Sequence, residues 1–128
     1  MSSSRPVLLS IIELGGYPNF TPLYERLGCQ VVMERSMRKA LATVRRDRPR
    51  VVVAEFNFQS DFRDRTSSLE SLMAVVQPLR DTRVIVFYEQ EYASQLARLQ
   101  AHCEVFRAMP YPIVEAALAA NVQAALAD

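Results

Sequence analysis

Short unbroken apolar runs alternate along this chain with segments whose apolar residues recur at three and four positions. Val7–Ile12 (VLLSII), Gln30–Met33 (QVVM), Val51–Phe56 (VVVAEF), Arg83–Tyr88 (RVIVFY) and Glu104–Ala108 (EVFRA) are runs of strand length rich in β-branched residues. Between them the period changes to that of a helix. Thr21 before Pro22 reads as an N-cap with proline at the first helical position, and Gly28 ends that helix. Ser36 caps a second helix to about Asp47, with Met37, Leu41 and Val44 on one face and Pro49 beyond it. Ser67 and Glu70 form a capping box that opens a third, with Leu69, Leu72, Val75 and Val76 on one side. Glu91–His102 and an alanine-rich segment from Pro112 to Leu126 are the fourth and fifth.

Continuous apolar strands alternating with helices are the pattern of a parallel sheet covered on both faces. Right-handed crossovers then predict a doubly wound α/β fold, a five-stranded parallel sheet of flavodoxin-like order 2-1-3-4-5, with residues 1–128 forming a single domain. EVFRA is the most polar strand and is expected at an edge. Cys29 and Cys103 enter opposite edge strands, four strand spacings apart, or roughly 19 Å at about 4.8 Å each. A disulfide spans no more than about 7 Å between Cα atoms, so no internal bridge is expected.

Composition narrows the function. The net charge of +1 does not call for nucleic acid or a membrane surface. Charge is local instead: residues 34–50 carry seven basic residues against Glu34 and Asp47, a segment of +5 in a remainder of −4. Within it Arg38 and Arg45, and Lys39 and Arg46, lie seven positions apart on one helical face, a candidate basic patch that reads foremost as a solvated surface. Two cysteines without metal-ligand spacing and one histidine, His102, argue against a zinc site. The opening MSSSRPVLLSII is too short and poorly flanked for a signal peptide, and no stretch approaches a membrane span. A cytoplasmic protein with reduced thiols is expected.

Sites in open α/β sheets lie outside the carboxyl ends of the strands. There this sequence places Glu13, Gly15 and Gly16, then Glu55, Phe56 and Asn57, then Tyr88 and Glu89, then Met109 and Pro110. Gly15-Gly16 is isolated, which argues against a flavin- or nucleotide-binding flavodoxin. His102 falls at the opposite edge, the wrong place for a catalytic dyad.

SMRKALATVRRDRPRVVVAEFN, residues 36–57, carries an Ala-Leu pair, a charged helix end, a proline and an apolar strand closing on an acidic residue. With Met109-Pro110 in place of a Lys-Pro pair, the whole chain resembles the receiver domains of two-component response regulators. The resemblance implies that Glu55 stands at the phosphoacceptor aspartate, Tyr88 at the conserved hydroxyl residue, and Met109, before Pro110, at the lysine. Of the acidic pair at most Glu13 remains, since Ile11 and Ile12 occupy its place. Lys39 is the only lysine of the chain, so none replaces the missing one.

Phosphoryl transfer to a carboxylate requires a divalent cation on several oxygen ligands and positive charge at the phosphoryl oxygens. Neither is provided, so the resemblance implies a degenerate receiver, expected to be no enzyme and to hold no metal or cofactor. Glu55 remains open between a solvated carboxylate, an arginine partner and an imitation of the charged state. The resemblance also implies dimer or output contacts on the fourth helix, fifth strand and fifth helix, with Phe106 at the switch aromatic and Tyr92, Arg98 and Tyr111 beside it. The loop 58–68, with Phe58 and Phe62 among arginines, is either self-packed or a contact for a partner. The expected function is a non-phosphorylatable module of bacterial signalling that binds a protein partner or a second copy of itself. The alternatives are an acidic partner or nucleic acid on the basic helix, and a small ligand at the carboxyl edge.

Overall fold

The computed structural model describes residues 5–13, 16–56 and 68–127. Five parallel strands, β1 (Val7–Ile11), β2 (Gln30–Glu34), β3 (Val51–Glu55), β4 (Arg83–Tyr88) and β5 (Arg107–Pro110), form one sheet in the order β2-β1-β3-β4-β5. The helices between and after them are α1 (Thr21–Arg26), α2 (Met37–Asp47), α3 (Ser68–Val76), α4 (Ala93–Gln100) and α5 (Glu115–Leu126). Fold and strand order are those expected from the sequence.

Alternation within each strand divides the core into two halves. Leu9, Ile11, Val52, Ala54, Val84 and Val86 point to one face and meet α2, α3 and α4 through residues such as Val44, Leu72 and Leu96. Their neighbours Leu8, Val51, Val53, Ile85 and Phe87 point to the other, against Leu23 and Tyr24 of α1 and Leu118 and Val122 of α5. All five residues of β3 are buried, which is why its sequence shows no polar alternation.

Local signals explain most element ends. The Ser36 hydroxyl accepts a hydrogen bond from the Lys39 N–H at 3.2 Å and caps α2. That helix closes on Arg48 in the left-handed conformation (φ 46°), directly before Pro49. Gly28, with φ 93°, turns the chain out of α1, a conformation that favours glycine.

Several expected boundaries shift. The residue before α1 is Phe20, and Thr21 is already helical, its N–H bonded to the Asn19 side chain at 3.0 Å. The fourth helix is shorter than expected, a 3₁₀ turn over Gln90–Tyr92 leading into α4. The last helix starts at Glu115, and Pro112 lies in the turn before it. The fifth strand sits further along than Glu104–Ala108, because its ladder begins where the Phe106 N–H meets the Val84 carbonyl at 2.9 Å. It extends to Pro110, which an edge strand accommodates because one side of its backbone needs no donor. Ser67, the expected cap of the third helix, lies outside the described residues.

Both cysteine thiols are unbridged, Cys29 buried and Cys103 half-buried. Among the described residues no helix is long and apolar enough to cross a membrane.

Candidate functional site

The site is built where β1, β3, β4 and β5 end. Glu55 is the last residue of β3 and is 5% exposed, so the solvated carboxylate considered from the sequence is corrected: it is enclosed by the strand end and the loop above it. Its register partner on β4 is Phe87, and Phe87 in turn pairs with Met109 of β5. Phe87 and Met109 are 4% and 6% exposed. The carboxylate therefore lies in a row with a phenyl ring and a thioether.

The loop between β1 and α1 covers that row with aromatic rings. The Tyr17 ring centroid is 5.2 Å from that of Phe87 and 5.6 Å from that of Tyr111, and Phe20 meets Phe87 edge-on at 5.9 Å. These are favourable separations for tilted and edge-to-face pairs. Between Tyr17, Phe20, Tyr24, Glu55 and Phe87 there is a cavity of about 20 Å³, room for about one water. Among the described residues no three His, Cys, Asp or Glu side chains gather to hold a metal ion.

The electrostatics follow. Burial, and then the carboxylates of Glu89 and Glu55, push the Tyr17 phenol up to about 12 from its ordinary 10. A raised folded value means that this group contributes stability below pH 10, which is lost as pH rises through about 12. The contribution is about 1–2 kcal/mol after allowing for screening at the half-exposed ring. Tyr17→Phe is expected to remove a step near pH 12 from the ultraviolet titration of the folded protein, and with it the part of the alkaline destabilisation that falls between pH 10 and 12.

No protein-family model matches the chain, and no curated protein matches its sequence. Solved structures do match. A response regulator receiver domain protein from Clostridium thermocellum superposes with a TM-score of 0.75 at 16% identity, over 94% of each chain. The chemotaxis protein CheY4 of Vibrio cholerae gives 0.74 at 15% identity, covering 96% of this chain and all of its own. A LuxR-family two-component response regulator from Aurantimonas sp. SI85-9A1 gives 0.67 at 21% identity, over 97% of this chain and 86% of its own. This chain has the receiver fold.

Set on that fold, the candidate positions separate. Glu55, Met109 and Pro110 fall at the carboxyl edge with Glu13, which follows β1 on the neighbouring strand. Tyr88, expected at the hydroxyl position of a receiver, does not join them. It pairs with Pro110 and, like Tyr92 and Ala108, packs against the opposite half of the core. The residue that lies between Glu55 and Met109 is Phe87, one position earlier. Sequence reading also passed over Tyr17 and Phe20, although the loop after β1 opens onto the same edge of the sheet.

The group Tyr92, Arg98, Phe106 and Tyr111 is likewise divided. Phe106 lies before β5, beneath the guanidiniums of Arg83 and Arg107, at the amino edge of the sheet. Tyr111 lies after β5, 41% exposed, at the carboxyl edge. Tyr92 is half-buried against the core and Arg98 is exposed on α4. Phe58 and Phe62 lie outside the described residues. On α2, Arg38, Lys39, Arg45 and Arg46 are all exposed, opposite the buried Ala40, Thr43 and Val44. Arg46 is engaged with its neighbour Asp47, with Nε 3.0 Å from the carboxylate.

Proposed function

We propose that this chain is a regulatory receiver-like module of bacterial signalling, working in the cytoplasm by binding a protein partner without phosphorylation or catalysis. One observation carries the reading. Where a receiver concentrates a carboxylate, a hydroxyl and a lysine, this chain stacks Glu55, Phe87 and Met109 under Tyr17 and Phe20. An incoming phosphoryl group would need charge-assisted donors and cation-binding oxygens at that place, and it meets an aromatic ring and a thioether. Glu55 is also a poor copy of a phosphorylated aspartate, with one negative charge against nearly two and two acceptor oxygens against three.

The test is amide NMR of the protein with Mg²⁺ and acetyl phosphate or beryllium fluoride. No saturable shifts are expected at the carboxyl edge; saturable shifts centred on Glu13 and Glu55 would overturn the reading.

The partner surface is assigned to the side formed by α4, β5 and α5, where Tyr111 and Val114 are 41% and 61% exposed and Arg98 adds charge. Aromatic residues and arginine are enriched at interface centres. If the partner is a second copy, sedimentation across a concentration series shows a dimer that Val114→Arg abolishes. A chain monomeric at all concentrations confines that surface to a different protein.

A further inference from the structure

A second opening lies at the opposite edge of the sheet from the degenerate site. At the amino ends of β4 and β5, between the last turn of α3 and the turn that follows α4, lies a cleft of about 600 Å³. That volume is in the range of small-molecule sites, against about 20 Å³ beside Glu55. Its apolar lining is the half-buried Leu79 and Val105, set over the buried Met73, Val76 and Val84. Its rim is cationic: Arg80, Arg83 and Arg107 line it against the single carboxylate of Glu104, a local balance of +3 to −1.

Two of the arginines, Arg83 and Arg107, are held in place, and Arg80 is exposed. Arg83 donates to the Arg80 carbonyl at 2.9 Å, and Arg107 donates to the Phe106 carbonyl at 2.9 Å. Their guanidinium carbons lie over the Phe106 ring at 5.8 and 4.3 Å, within the range of a cation–π contact. Arg80 and Arg107 meet no carboxylate among the described residues. A guanidinium has five N–H donors in a fixed fork, so most of those on Arg107 still face outward.

Half-buried apolar side chains beside a cationic rim define a chemical class. We propose that this cleft binds a nucleoside phosphate, its phosphate on the guanidinium forks of Arg80 and Arg107 and its base against Leu79 and Val105. Fork-shaped donors match phosphate oxygens two at a time, and a planar base stacks readily on a guanidinium. The site does not depend on the module's phosphorylation state, and it lies away from the α5 end of the proposed partner surface.

Cys103 lines the same cleft and serves as a reporter, since the other thiol, Cys29, is fully buried. The whole chain is titrated calorimetrically with AMP, GMP, CMP and UMP, with the matching nucleosides, and with inorganic phosphate. At least one nucleotide is expected to bind roughly tenfold more tightly than its nucleoside and than phosphate alone. The same nucleotide is expected to slow modification of Cys103 by a thiol reagent. Arg80→Gln with Arg107→Gln is expected to weaken binding by roughly tenfold while leaving the urea midpoint in place, both side chains being exposed. Each single variant gives a smaller loss and stands in if the pair perturbs folding. Nucleotides that bind no better than phosphate, binding that survives both substitutions, or an unprotected Cys103 would each overturn the assignment.

Discussion

Phe87→Ala is expected to lower the stability of this protein by about 3–5 kcal/mol, the cost of removing a large buried aromatic side chain from a core. Phe87 is 4% exposed and is the ring on which both Tyr17 and Phe20 rest. Its loss leaves a cavity under the loop after β1 and frees that loop from its anchor. At a denaturant slope of about 2 kcal/mol/M, the urea midpoint falls by roughly 1.5–2.5 M. Phe87→Thr is expected to cost nearly as much, because its hydroxyl enters a space lined by Met109 and aromatic rings. A midpoint shift under about 0.5 M for either variant would show that Phe87 is dispensable and that the site is less committed to packing than its geometry states.

Leu72→Ala is expected to cost about 2–5 kcal/mol on the opposite face of the sheet. Leu72 is fully buried at the centre of α3 and packs into the half of the core formed with α2 and α4. α3 docks through its apolar face, where Leu69, Leu72, Met73 and Val76 are all buried. Leu72 and Phe87 sit in separate clusters with no buried neighbour in common. The two losses should therefore add within about 0.5 kcal/mol, as they do for sites that share no partner. Their sum reaches about 5–10 kcal/mol, comparable with the whole stability of an ordinary domain. Each single variant is expected to unfold in one transition at lowered urea, and the double variant to be largely unfolded in its absence, as read by far-ultraviolet circular dichroism. A double variant as stable as either single one would show that the two halves of the core are not independent.

Much of the candidate site was legible one residue at a time and misread as a set. Glu55 could be placed at a strand end because VVVAEF is a continuous apolar run that closes on an acid, and Met109 because a proline follows it at the end of the last strand. The hydroxyl position was assigned to Tyr88 because it is the final residue of RVIVFY. Side chains alternate between faces along a strand, so an error of one residue moves a side chain to the other side of the sheet. Only the pairing of Glu55 with Phe87, and of Phe87 with Met109, settles which residue lies between them. The expected grouping of Phe106 with Tyr111 failed for a related reason: the ladder of β5 starts at Phe106, so the two rings stand at opposite ends of one strand.

By itself the sequence determined the order of elements, because strand and helix periods are local and a parallel sheet with right-handed crossovers leaves few ways to connect them. It also determined that Lys39, on the second helix, is the only lysine and that methionine precedes Pro110. What surrounds Glu55 was decided in three dimensions. Tyr17 and Phe20 are seventy and sixty-seven positions from Phe87 in the chain, and nothing local to either segment encodes their contact. The cleft of Arg80, Arg83 and Arg107 was equally invisible, since those arginines converge only when β5 is laid beside β4. Local patterns specify elements, whereas burial and proximity across the sheet belong to the packed fold.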